Sequence, residues 1–247
     1  MSHCRLGPAH NRTMATIDIE TPDGTIDALL WLPEGEGPWP GVVVIHDAFG
    51  YSVDNKAVAA RIAAAGYVAL VPNMYARGGI ARCITRVMRE LMTKRGRALD
   101  DVLAARDHLK AMPECTGTVG IAGFCMGGQF ALLMAPKGFA ASAPFYGVPL
   151  PRPLDEVLEG ACPIVASFGR RDPIGIGAGA KLQSAVDRKG IPADIKTYPN
   201  VGHSFANKLP AQPLLRVGGF GYDDEATEDA WRRIFAFFGE HMASAES

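Results

Sequence analysis

Three residues of this 247-residue chain have the types and neighbours needed for covalent chemistry at a carbonyl: Cys125, His203 and Asp172. Cys125 lies in Gly123-Phe124-Cys125-Met126-Gly127-Gly128, between the apolar stretch Thr118–Ala122 and a stretch of helical character, Met126–Met134. A G-x-nucleophile-x-G segment at a strand-to-helix junction is a very tight turn. Its central residue takes strained backbone angles, and glycines two positions either side avoid collisions. The turn raises the central side chain above the end of the sheet, where the dipole of the next helix favours a thiolate over a thiol. Alone, such a segment also suits a small buried cysteine in an ordinary turn. The functional reading requires a base and an acid at the same edge.

Two loops are placed to supply them. Gly169-Arg170-Arg171-Asp172-Pro173 follows the apolar run Pro163–Phe168, and Pro199-Asn200-Val201-Gly202-His203-Ser204-Phe205 follows Ala193–Tyr198. Each lies just past the carboxyl end of an expected strand, so in a parallel sheet both open onto the edge that carries Cys125. The chain order nucleophile, acid, histidine is the order found in hydrolases built on such a turn. His203 is the expected base, taking the thiol proton or standing as an imidazolium beside a thiolate, and Asp172 would fix the ring tautomer. The amide of Met126 and, from the loop His46–Gly50, the amide of Ala48 are the expected donors to a carbonyl oxygen turning negative.

Delivering three loops to one edge demands alternating strands and helices. The alternation Thr16–Glu20, the turn Pro22-Asp23-Gly24 and Ile26–Leu32 read as an N-terminal antiparallel hairpin. Gly41–Ile45 and Tyr67–Val71 are short β-branched runs of the kind buried on both faces in parallel sheets. Helices are expected over residues 53–65, from Ala81 to Met112 with a break near Gly96, over Gly179–Lys189 and over Glu225–Met242. The last carries Trp231, Ile234, Phe235 and Phe238 at helical spacing. A further strand is expected over Phe139–Phe145. The fold class is α/β, specifically the α/β-hydrolase fold: a mostly parallel central sheet flanked by helices, with the antiparallel hairpin at its start. Residues 14–247 read as a single domain, with residues 1–13 as a flexible extension.

Composition sets limits on partners. Twenty-five Lys and Arg against 26 Asp and Glu give a net charge of −1, so no basic field exists to hold nucleic acid. Five cysteines without CxxC or Cys/His ligand spacing argue against a disulfide framework or a zinc site. Reduced thiols, and the lack of a long apolar run, lead us to expect a cytoplasmic protein without a membrane span. The expected partner is a small molecule, and the oligomeric state, monomer or homodimer, stays open.

At these residues the chain resembles the dienelactone hydrolase family, the carboxymethylenebutenolidases and their relatives. The resemblance runs from about Met14 to the C-terminal helix. It rests on Gly123-Phe124-Cys125-Met126-Gly127-Gly128, Gly147 after Phe145-Tyr146, Asp172, and Gly202-His203-Ser204-Phe205-Ala206. Cysteine as the central elbow residue is the most discriminating mark. The resemblance implies a metal-free, cofactor-free hydrolase that opens an unsaturated five-membered lactone bearing a carboxylate. It also implies that Arg77, in Tyr75-Ala76-Arg77, binds that carboxylate. Two positions depart: Asp47 stands where the family has a Glu that contacts the thiol, and Asn207 where it has a second carboxylate-binding Arg. Arg216, in the loop Leu209–Tyr222, is a possible substitute for the latter. Phe49 and Tyr146 are expected to wall the substrate pocket. Two other readings stay open: a broad carboxylesterase or thioesterase without dienelactone activity, and a catalytically weak ligand-binding or redox-sensing homologue.

Overall fold

The consecutive apolar residues Val42, Val43, Val44 and Ile45 are all fully buried because the two sides of their strand face two different helical layers. Val43 and Ile45 join a core with Val87, Leu91 and Leu109, while Val42 and Val44 join a second core with Ile62, Trp231 and Ile234. This arrangement is seen in a computed structural model that describes residues 14–147, 153–208 and 218–243. The extension expected over residues 1–13 lies outside the described residues.

In chain order the elements begin with β1 (Met14–Thr21), β2 (Gly24–Trp31), β3 (Trp39–Ile45), α1 (Val53–Ala64), β4 (Val68–Pro72), α2 (Gly79–Thr93) and α3 (Arg97–Ala111). They continue with β5 (Cys115–Phe124), α4 (Met126–Met134), β6 (Ser142–Phe145), α5 (Leu154–Val157), β7 (Ile164–Gly169), α6 (Ala178–Lys189), β8 (Ala193–Tyr198) and α7 (Asp224–His241). The eight strands form one sheet in the order β1-β2-β4-β3-β5-β6-β7-β8. β1 pairs antiparallel with β2, and β2 antiparallel with β4. Every other neighbouring pair is parallel. The expected fold class and hairpin are therefore present.

The break near Gly96 separates α2 from α3: Lys94 turns left-handed at φ 57° to cap α2, and Gly96 has φ 126°. α2 turns Cys83, Val87 and Leu91 inward at four-residue steps, and Arg86 pairs with Glu90 at 3.1 Å. One expected element is shorter in the structure, and one element was not expected. β6 is only Ser142–Phe145, because the chain before it runs as a loop, and the short α5 carries too little periodicity to be read from sequence. Among the described residues no helix is long and apolar enough to cross a membrane.

Candidate active site

β5 runs in register with β3 on one side, Gly123 opposite Ile45, and with β6 on the other, Phe124 opposite Phe145. The chain must leave this central position and enter α4 at once. Cys125, the N-cap of α4, does so at φ 54° and ψ −111°, a strained conformation for a residue with a Cβ. Its amide donates to the Phe145 carbonyl at 3.1 Å, and its carbonyl accepts from the Gln129 amide at 3.2 Å. The flanking glycines are required sterically. A Cβ on Gly123 would lie 2.0 Å from the Gly127 oxygen, and one on Gly127 would lie 2.2 Å from the Ile45 oxygen. Met126 is the first residue of α4, where a helix amide has no carbonyl in its own helix to bond.

His203 and Asp172 meet in the buried interior of the same edge. His203 Nδ1 lies 2.8 Å from Asp172 Oδ2, and both side chains are almost wholly inaccessible. Asp172 Oδ1 is fixed in turn by the amides of Ile174 and Gly175, each donating at 2.9 Å. With Nδ1 bonded to a carboxylate it carries the proton, and Nε2 is the proton-accepting nitrogen of the neutral ring. That Nε2 is buried and, among the described residues, has no partner that meets hydrogen-bond geometry. Burial by itself lowers the imidazole pKa, but the hydrogen bond to Asp172 and then the nearby Cys125 sulfur outweigh it and raise His203 to about 9.

The loop after β3 packs beside the elbow. His46 is fully buried, and burial lowers its pKa to about 4, so its ring is neutral. Its Nδ1 donates to the Asp47 carbonyl at 2.7 Å while its Nε2 accepts the Met74 amide at 3.2 Å. The Ala48 carbonyl accepts from the Tyr75 hydroxyl at 3.0 Å, and the same hydroxyl lies 3.6 Å from the Met126 sulfur. Tyr75 thus ties together the two segments whose amides were expected to face a substrate oxygen. Asp47 is buried, and its Oδ1 accepts from the Phe49 amide at 2.8 Å. Desolvation raises its pKa; the Phe49 hydrogen bond opposes that rise, and the nearby Asp54 carboxylate adds to it.

The dienelactone hydrolase family model matches residues 26–242. The chain belongs to the dienelactone hydrolase family. A carboxymethylenebutenolidase of Rhodococcus opacus is 30% identical over 218 residues, 81% of each chain. One from Pseudomonas putida is 30% identical over 212 residues, 77% of this chain and 85% of its own. Among solved structures, a dienelactone hydrolase-like promiscuous phosphotriesterase from metagenomic libraries superposes with a TM-score of 0.79 at 26% identity, covering 93% of this chain and 99% of its own.

Several of the other expected site residues are engaged by neighbours within the protein. Arg77 forms a two-pronged ion pair with buried Asp101, at 2.7 and 3.0 Å. Its second amino group also donates to Thr21 Oγ1 at 2.7 Å and to the Gly24 carbonyl at 3.3 Å. The partner lies on α3, 24 residues along the chain, so no local pattern announces it. Tyr146 packs beside His203. It is fully buried at φ 37°, its ring 5.0 Å from that of His203, and its hydroxyl donates to Asn207 Oδ1. Asn207 Nδ2 donates to Asp54, whose other oxygen accepts the Lys208 amide at 3.0 Å. Phe49, in contrast, is 68% exposed at the rim. Arg216 lies outside the described residues.

Three contributors went unnoticed in the sequence: Tyr75 as a brace, Asp54, and the segment Gly219–Gly221. His203 donates its amide to the Gly219 carbonyl at 2.8 Å and accepts from the Gly221 amide at 3.0 Å. The Phe220 ring lies 5.4 Å from the imidazole. The approach is so close that a Cβ on Gly202 would sit 1.8 Å from the Gly219 oxygen. Glycine spacing around His203 was the available signal, but which chain segment fills the space is a tertiary matter.

Proposed function

We propose that this protein hydrolyses lactone or ester bonds of small molecules through an acyl-cysteine intermediate on Cys125. One observation carries the reading: a buried His203 has Nδ1 anchored on Asp172 at 2.8 Å and Nε2 without a partner among the described residues, near a cysteine held at a strained elbow. His203 Nε2 takes the thiol proton as the Cys125 sulfur bonds to the carbonyl carbon. The resulting oxyanion is held by the amides of Met126 and Ala48. Collapse breaks the bond to the alkoxide, which takes the proton from His203 Nε2. Water then gives a proton to the same nitrogen and attacks the thioester, releasing the carboxylic acid and returning the proton to the Cys125 sulfur. Asp172 stabilises the imidazolium in both halves and is never itself protonated.

A thiolate is a good leaving group as well as a good nucleophile, so strained or activated carbonyls suit this cycle better than ordinary alkyl esters. A reducing compartment such as the cytoplasm keeps the thiol available. The test is turnover of an activated aryl ester and of an unsaturated five-membered lactone by the protein and by Cys125→Ala. The variant is expected to lose at least about 10³-fold in kcat/KM; retention of wild-type turnover refutes the assignment.

A further inference from the structure

Resting on that hydrolase reading, we infer that the site selects neutral lactones and esters over carboxylate-bearing ones, with Asp54, linked through Asn207 and Tyr146 to the back of His203, as a specificity-determining residue. The argument begins with where the charges are. Arg77 is closed off by Asp101, Thr21 and Gly24. At position 207 stands a neutral amide, one end accepting from the Tyr146 hydroxyl and the other donating to Asp54. Lys208 supplies its backbone amide to Asp54, while its ammonium lies over the Tyr222 ring at 4.7 Å.

Arg170 and Arg171 precede Asp172, but both are exposed and the Arg171 guanidinium turns to Asn200 Oδ1 at 3.5 Å; the charges linked to the His203 ring side are carboxylates. Asp54, in the first turn of α1, is separated from His203 only by one amide and one phenol, and the Tyr146 and His203 rings are 5.0 Å apart. Asp47 approaches from the β3 loop and acts electrostatically on both Asp54 and His203. Two carboxylates thus lie near His203, Asp47 from the β3 loop and Asp54 behind Asn207 and Tyr146. Apolar side chains are also exposed at the carboxyl edge: Phe49 after β3 and Ile174 and Ile176 after β7, the last by 75%. A substrate carboxylate entering here would lose its water and meet two like charges. A neutral acyl group loses little water and gains apolar contact.

The experiment compares ring opening of a lactone bearing a carboxylate with that of its neutral primary amide. The protein should favour the amide by at least about tenfold in kcat/KM, a modest effect for like charges in a partly desolvated site. Raising the ionic strength from about 0.01 to about 1 M should narrow that ratio, since the screening length falls from about 30 to about 3 Å. Asp54→Asn should narrow it too, chiefly through a lower KM for the acid, and Asn207→Arg should narrow it further or reverse it. The salt series needs no variant and stands if either substitution fails to fold. A ratio near one, or a preference for the acid, overturns the inference, including a preference that Arg216→Ala removes. A ratio unmoved by Asp54→Asn overturns the assignment of that residue. Cys125-dependent turnover with the wrong preference defeats this inference alone, whereas turnover of both substrates that survives Cys125→Ala defeats the hydrolase reading with it.

Discussion

Replacing Asp172 with Asn changes one charge and almost no volume. The amide oxygen can keep accepting the Ile174 and Gly175 amides, both at 2.9 Å, so the loop should hold its shape. The amide nitrogen must then face His203 Nδ1. Two donors cannot share that 2.8 Å contact, so Nδ1 becomes the acceptor and the proton moves to Nε2. Nε2 can no longer take the Cys125 proton. The size of the loss is bounded from two sides. The rise of His203 from 6.5 to about 9, to which Asp172 and Cys125 both contribute, represents roughly 3 kcal/mol of preference for the imidazolium, or about 10²-fold. Reversal of the tautomer in a serine triad costs about 10⁴-fold. The expected drop in kcat/KM on an activated aryl acetate at neutral pH is therefore between about 10² and about 10⁴. Stability provides a second measurement. A histidine pKa raised by folding stabilises the native state fully below about 6.5, and that contribution fades as pH rises through about 9. Thermal melts across this window should show a decline that Asp172→Asn flattens. A folded variant with activity within about threefold of wild type and an unchanged pH profile would show that His203 does not depend on Asp172.

Arg77→Ala strands the carboxylate of Asp101, whose side chain is 1% exposed, and should destabilise the fold by about 3 kcal/mol. Thermal denaturation should reveal it, whereas the ratio between acidic and neutral lactones should stay put; the opposite pattern would return Arg77 to the substrate. Cys125→Gly relieves the positive φ at the elbow and should gain about 1 kcal/mol, a rise of roughly 2–4 °C in Tm, while abolishing turnover. A lower Tm would contradict strain at that position. Gly202→Ala forces a Cβ to 1.8 Å from the Gly219 oxygen. It should lower stability by more than about 2 kcal/mol and displace His203, and wild-type melting together with wild-type activity would disprove the close packing.

Much of the site was legible because its constraints are short-range. A tight strand-to-helix turn tolerates only glycine at positions 123 and 127, and the collisions that forbid anything else involve backbone atoms of neighbouring strands and turns. Buried parallel strands betray themselves as runs such as Val42–Ile45, and strand ends place Asp172 and His203 on the edge that carries Cys125. These are properties of a few consecutive residues and of the rules for winding a parallel sheet.

The uses of individual polar groups were decided only by the folded chain. Arg77 looked available because nothing in Tyr75-Ala76-Arg77 reveals that Asp101 is buried opposite it. Asn207 looked like a weakened ligand group, yet it joins Tyr146 to Asp54, 153 residues away. His203 takes its backbone partners from Gly219 and Gly221 across another segment. A charge or an amide binds whatever satisfies it at hydrogen-bond distance, and which group that is depends on packing between elements far apart in sequence. The amino-acid sequence determined the fold class and the edge where the chemistry could occur, because local sterics and periodicity suffice for both. Tertiary packing determined which charges remain there, because that depends on every neighbour brought to the edge.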